Sequence, residues 1–277
     1  MNSDLWSKQV DAIVRLELRR HWLGRRWLGT YLLVLAPIAL LFMRLLIMSA
    51  RGPSRTFTGL NQSLQTLNLV YAVMFQGFIL RFAIFFSCMT IFSQMFRSEV
   101  LEKTLHYYLL APVRREVLAL GKYIAGLIAT FTMFAFCTIA TYVLLFMPAQ
   151  SGQEFLMAGG GITHLARYLA VAMLACLGYG AVFLLVGLYF KNPVIPAVGF
   201  LAWEYFNFIL PSVLQKISVV HYLQALCPVP MPKSPFAVLT QPTSPFISIP
   251  GLLIFTAIIL VIASFKIRKM EVTYSAD

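Results

Sequence analysis

Residues equipped for chemistry are sparse in this 277-residue chain: ten acids, four histidines and four cysteines. Cys88, Cys137, Cys176 and Cys227 have the spacing of neither a zinc site nor a disulfide framework. They read as small apolar packing residues. His21, His106, His164 and His221 are scattered, and no His/Cys/acid cluster points to a metal. A phosphate-cradling loop needs G-x-x-x-x-G-K-[ST]. Gly121-Lys122 is followed by Tyr123 and lacks the upstream glycine. Gly159-Gly160-Gly161 runs into Ile162-Thr163 instead. The chain is therefore not expected to hydrolyse ATP, or to act as an enzyme, by itself.

Two charges stand inside long apolar runs. Arg81 and Glu204 lie about 15–17 Å from the ends of their runs at the helical rise, near the middle of a bilayer. A charge there must be paired or face water. The reading is that Arg81 and Glu204 approach each other, within one chain or between two. They would act as a structural bridge or line a path. Arg44 lies near a run's end, where snorkelling suffices. Phe75, Phe78, Phe82, Phe85 and Phe86 share a run with Arg81 and would face lipid, neighbouring helices or an apolar substrate.

Two segments outside the apolar runs carry a clear pattern. In residues 1–27, Trp6, Val10, Val14, Leu18 and Trp22 recur every four positions with Ile13 beside them, while Lys8, Asp11, Arg15 and Arg19 take another face. This predicts an amphipathic helix lying in a membrane interface, serving as an anchor or as a lever joined to a partner. In residues 98–116, Ser98 is placed to cap a helix opened by Glu99. Val100, Leu101, Thr104, Leu105, Tyr108 and Leu109 form one side of it. Glu99, Glu102, Lys103 and His106 form the other. Pro112 ends the helix, and Val113-Arg114-Arg115-Glu116 leads into the next. Such a two-sided helix either packs on the bundle or docks another protein.

The elements that must position these residues are membrane helices. Apolar residues make up 60% of the chain and charged ones 12%, with a mean hydropathy of +0.79. A soluble domain is about 25% charged. Runs long enough to cross a bilayer are Leu28–Met48, Val70–Phe96, Leu120–Met147, Leu165–Phe190, Val194–Leu214 and Pro250–Ile267. The first twenty residues lack the apolar core of a cleavable signal, so the first run is expected to remain a span. With the N-terminus inside, the inner segments hold 15 of the 22 Lys and Arg, the outer segments hold five, and Arg44 and Arg81 lie in spans. The positive-inside rule then places both termini in the cytoplasm. It also accounts for the net charge of +12 through anionic lipids and soluble partners rather than nucleic acid. The outer segment 212–249 is rich in proline yet apolar, so short re-entrant or interfacial helices are expected there. The fold class is all-α: a polytopic membrane protein of six transmembrane helices. Residues 1–27 form an interfacial helix and residues 28–277 the membrane domain.

The segment Glu99–Tyr123, EVLEKTLHYYLLAPVRREVLALGKY, resembles a motif of ABC-2 type permeases, the membrane subunits of ATP-binding-cassette exporters. Glu102, Thr104, Leu105, Pro112, Arg114, Arg115, Gly121 and Lys122 match that pattern at its usual place between spans two and three. The resemblance covers about 25 residues in motif and the whole chain in architecture. It implies a second permease chain, identical or related, and two separate cytoplasmic ABC ATPase subunits holding ATP and Mg. Residues 98–116 would be the coupling helix, with Glu99, Glu102, Lys103, Thr104, Leu105, His106, Pro112, Arg114, Arg115 and Glu116 at the ATPase interface. Residues 1–27 would be the connecting helix. The implied function is export of a hydrophobic or amphipathic substrate across a bacterial inner membrane. A non-transporting membrane scaffold or assembly factor is the alternative.

Overall fold

The apolar runs fold as helices. The computed structural model describes residues 3–23, 28–50, 63–101, 115–190, 192–206, 218–230 and 244–268, and no strand occurs among them. In chain order the helices are α1 (Ser3–Leu23), α2 (Leu28–Ala50), α3 (Leu64–Met74), a π-helical stretch (Phe75–Ile84), α4 (Phe85–Leu101) and α5 (Arg115–Phe146). Then follow α6 (Gln150–Ala158), α7 (Gly161–Tyr189), α8 (Val194–Tyr205), α9 (Val219–Leu226) and α10 (Pro245–Arg268).

Five stretches are long and apolar enough to cross a membrane among the described residues: Leu28–Ile47, Leu64–Ser98, Arg115–Phe146, Gly161–Tyr189 and Phe246–Arg268. The expected span Val194–Leu214 is described only as far as Phe206. Its helix α8 has 12 residues, about 18 Å, against roughly 30 Å of hydrocarbon. The remainder of that expected span lies outside the described residues.

The helices overrun several expected boundaries. The second rod starts at Leu64, and its helix runs through Ser98 and Glu99 to Leu101. Ser98 is therefore helix interior rather than a cap. From Phe78 to Leu110 the sequence has neither glycine nor proline, so nothing local halts the helix at Ser98. In the middle of this rod the backbone widens to i→i+5 bonding. Phe75, Gln76, Ile79, Leu80, Ala83 and Ile84 turn inward there.

Close helix contact rests on small residues. Phe92 of α4 lies against Gly126 of α5 and Gly180 of α7, where an added Cβ would stand 2.8 Å and 2.7 Å from its ring. At Gly187 the same atom would meet the Ser93 carbonyl oxygen at 2.6 Å. Small interface residues let membrane helices approach and gain dispersion contact without a hydrophobic drive. By contrast α2 and α10 are peripheral. Leu32, Leu35, Phe42 and Met43 of the first, and Ile254, Ile258 and Phe265 of the second, are exposed, the surface a helix presents to lipid.

The two ends of the bundle differ. At one end, Tyr71, Phe75, Tyr142, Phe146 and Tyr168 form an aromatic cluster with Tyr71–Tyr142 centroids 4.9 Å apart and Phe75–Tyr168 centroids 4.7 Å apart. Tyr71 donates to the Thr138 carbonyl and Tyr142 to the Gly161 carbonyl. At the other end the last turn of α10 meets the first turn of α5, Lys266 of α10 lies over Tyr189 at the end of α7, and α4 reaches α5 at Met95; charged side chains gather there.

Candidate functional site

α1 is helical as expected and turns Val10, Ile13, Val14 and Leu18 inward, but Trp6, expected on the same apolar stripe, is exposed. Gln9, Val10, Ile13, Val14, Glu17 and Leu18 are turned inward, while Trp6, Lys8, Asp11, Arg15, Leu16 and Arg19 are exposed. Gly121 of α5 lacks a side chain where Ile13 packs: a Cβ there would stand 2.9 Å from Ile13 Cγ2. One residue on, Lys122 Nζ pairs with Glu17 Oε1. Lys122 is fully buried and Glu17 is 3% exposed. Lys122 also donates to the Met95 carbonyl oxygen at 3.4 Å and lies 5.5 Å from the Phe96 ring centroid. The Gly-Lys dipeptide thus fastens α1 to α5 and α4 together. Neither Glu17 nor Lys122 was among the expected interface residues. The signal for Glu17 was an acid four residues after Ile13, on the apolar side of an amphipathic helix.

Next to this clamp, Glu116 pairs with Arg268 at the end of α10, and Arg115 Nη1 donates to the Arg268 carbonyl at 3.0 Å. Lys266 stands 4.7 Å over the Tyr189 ring, joining the ends of α10 and α7. The last two residues of the expected coupling segment are therefore tied to the end of the final helix. Glu99 belongs to the last turn of α4. Glu102, Lys103, Thr104, Leu105, His106, Pro112 and Arg114 lie outside the described residues.

A second polar group lies midway along the bundle. The Glu204 carboxylate is 5% exposed. It accepts from Ser218 Oγ at 2.7 Å, Val219 N at 2.9 Å and Val220 N at 3.1 Å. It thereby satisfies the free amides that open α9 and sits on the positive end of that helix. Arg81 is close enough for its charge to bear on Glu204. Its guanidinium, however, lies over the Tyr205 ring, 5.5 Å from the centroid. Among the described residues Arg81 makes no ion pair with Glu204, and its buried Nε has no hydrogen-bond partner. Within this chain the two charges share a cluster with Tyr205. The phenol of Tyr179, fully buried beside them, also has no hydrogen-bond partner among the described residues.

The expected phenylalanines divide. Phe75 and Phe85 are core. Phe78, Phe82 and Phe86 form a ladder along the rod, with centroids 6.3 Å and 6.2 Å apart, and Phe82 is 39% exposed. Phe82 meets Tyr205 edge-on at 5.9 Å. Gln76, also in the π stretch, donates to the Val229 carbonyl at 2.8 Å and pins the segment after α9.

No three His, Cys, Asp or Glu side chains gather as a metal site among the described residues. The arrangement offers two things instead: a rigid joint between α1, α4 and α5 at the charged end, and a cation with an aromatic flank at mid-span. No protein-family model matches this chain, and no curated protein matches it either.

Proposed function

We propose that this chain is the membrane-spanning permease subunit of an ABC-2-like transporter, with six spans and both termini in the cytoplasm of a bacterial inner-membrane protein. It forms a path with a second permease chain and is driven by separate ATPase subunits that hold ATP and Mg. Its cargo is a hydrophobic or amphipathic molecule moved outward.

The observation that carries this reading is the Lys122–Glu17 pair beside the Gly121–Ile13 contact. The reading needs force applied to residues 98–116 to reach the spans. Lys122 lies seven residues into α5, and α5 begins at the end of that segment. A push on the segment therefore moves α5 and, through a buried ion pair, α1 as well. The Arg268–Glu116 pair extends the same joint to α10. A scaffold protein has no need for a stiff joint at one end of long apolar helices, whereas a motor-driven path does.

Co-purification with an ATPase from the same genetic neighbourhood tests the reading. Glu102→Ala and Arg115→Ala should weaken docking or ATPase stimulation while the chain still inserts. Unchanged coupling would remove both residues from the interface. Failure of the intact chain to bind any such ATPase would favour the scaffold alternative.

A further inference from the structure

Arg81 stands at the centre of the 35-residue rod Leu64–Ser98, where a cation is retained only with a counter-charge or a function. This chain has ten acids, and Glu204 is the one that falls within an apolar run. Its carboxylate accepts from Ser218, Val219 and Val220, and although the Arg81 charge bears on it, the two make no ion pair among the described residues. Among the described residues the buried Nε of Arg81 has no hydrogen-bond partner, and the Tyr205 face lies on one side of the guanidinium. From Tyr205 the apolar surface continues through Phe82 to Phe78 and Phe86. The cation and the aromatic ladder are continuous, and Phe82 is open.

We propose that Arg81, Tyr205 and the Phe78–Phe82–Phe86 ladder seat an anionic amphiphile, with its carboxylate or phosphate on the Arg81 guanidinium and its chain along the phenylalanines. The guanidinium fork suits an oxyanion, and such charge-assisted hydrogen bonds are the strong ones. The rings give the chain a surface that tolerates variation in length. A resident bilayer lipid keeps its headgroup roughly 15 Å away, at the hydrocarbon edge. The occupant is therefore an amphiphile in transit. That identification deepens the transport reading and rests on it; the anion seat itself does not.

The test is equilibrium binding to the purified chain in phosphatidylcholine nanodiscs, without any ATPase. The probes are a fluorescent long-chain polyene carboxylate and its methyl ester. The wild-type chain should prefer the carboxylate. Arg81→Gln should lower carboxylate affinity about tenfold or more, the change expected from losing one charge-assisted contact, and leave the ester unaffected. Phe82→Ala should weaken both probes alike, and its exposed position keeps that variant independent of any folding defect at Arg81. Equal wild-type affinity for the carboxylate and the ester would overturn the seat. Displacement of the probe by phosphatidylglycerol in the disc would overturn the assignment to an amphiphile in transit. A charge preference in a chain that never moves the probe in an ATPase-containing vesicle would leave the seat standing and sink the transport reading.

Discussion

At Lys122 and Glu17 two full charges have been withdrawn from solvent, so each depends on the other. Removing one partner of such a pair costs about 3–5 kcal/mol, because the remaining charge stays buried without that counter-charge. Replacing both with apolar side chains of similar size removes that penalty. Lys122→Met and Glu17→Leu should each lower the thermal midpoint in detergent sharply, while the double variant should recover most of the loss. A double variant as unstable as the sum of the singles would mean the two do not interact. Glu204 makes a different kind of demand, because three donors converge on it. An amide turns an N–H donor toward them, so Glu204→Gln should cost about 1–3 kcal/mol and speed hydrogen exchange at the first amides of α9. Unchanged exchange at Val219 and Val220 would show that the carboxylate does not hold that helix end. Cys227 gives a pH readout. Burial pushes its thiol up to about 12, against about 8.5 for a free thiol, so it stays protonated well above neutrality. Maleimide labelling at pH 8 should be far slower than for a free thiol and should rise as pH approaches the raised value. Labelling at the free-thiol rate would place Cys227 in water.

At the scale of elements, the clamp makes α1 part of the α5 body rather than a helix floating at the interface. Gly121→Val should push Ile13 away at a cost of roughly 1–3 kcal/mol and loosen α1. Adding Ile13→Ala should relieve it. Spin labels at Leu16 and Leu120, both exposed, would report the separation, and an unaltered distance in Gly121→Val would show that α1 is held elsewhere. Five long apolar helices were legible in the sequence, because a 20-residue apolar run has few alternatives in a bilayer, while the expected span from Val194 is described only as the 12-residue α8. The amphipathic pattern of α1 was legible in part: its inward face follows Val10, Ile13, Val14 and Leu18, while Trp6 of the same expected stripe is exposed. What periodicity could not supply was partner choice. Glu17 pairs with a lysine 105 positions away, and Glu204 caps a helix that begins 15 positions later. The π-helical middle of the second rod was also hidden, because Phe75–Ile84 reads as an ordinary apolar run and its wider turn is set by packing. Arg81 and Glu204 were recognisable as buried charges. That their neighbours would be Tyr205 and the opening of α9 depends on how α8 and α9 fold back on the bundle.

For the molecule as a whole, the unequal ends make orientation a measurable consequence. Arg97, Arg115, Lys122, Lys266 and Arg268 collect at the end where α1 is docked, and α1 adds Lys8, Arg15, Arg19 and Arg20. The other end carries the tyrosine cluster and the short helix α6, with Arg167 in the first turns of α7. The positive-inside rule acts on this contrast while the chain inserts, because moving Lys and Arg across the membrane is unfavourable. The α1 end should therefore face the cytoplasm and α6 the outside. Met157 of α6 is 88% exposed and Leu16 of α1 is 51% exposed, so a cysteine at either site should fold and react. In a Cys227→Ser background, a membrane-impermeant maleimide should label Met157→Cys in right-side-out vesicles and Leu16→Cys only in inverted ones. The reverse pattern would invert the topology and move the coupling segment away from any cytoplasmic motor. Labelling of both from one side would place α1 and α6 on the same face, which an odd number of crossings between them excludes.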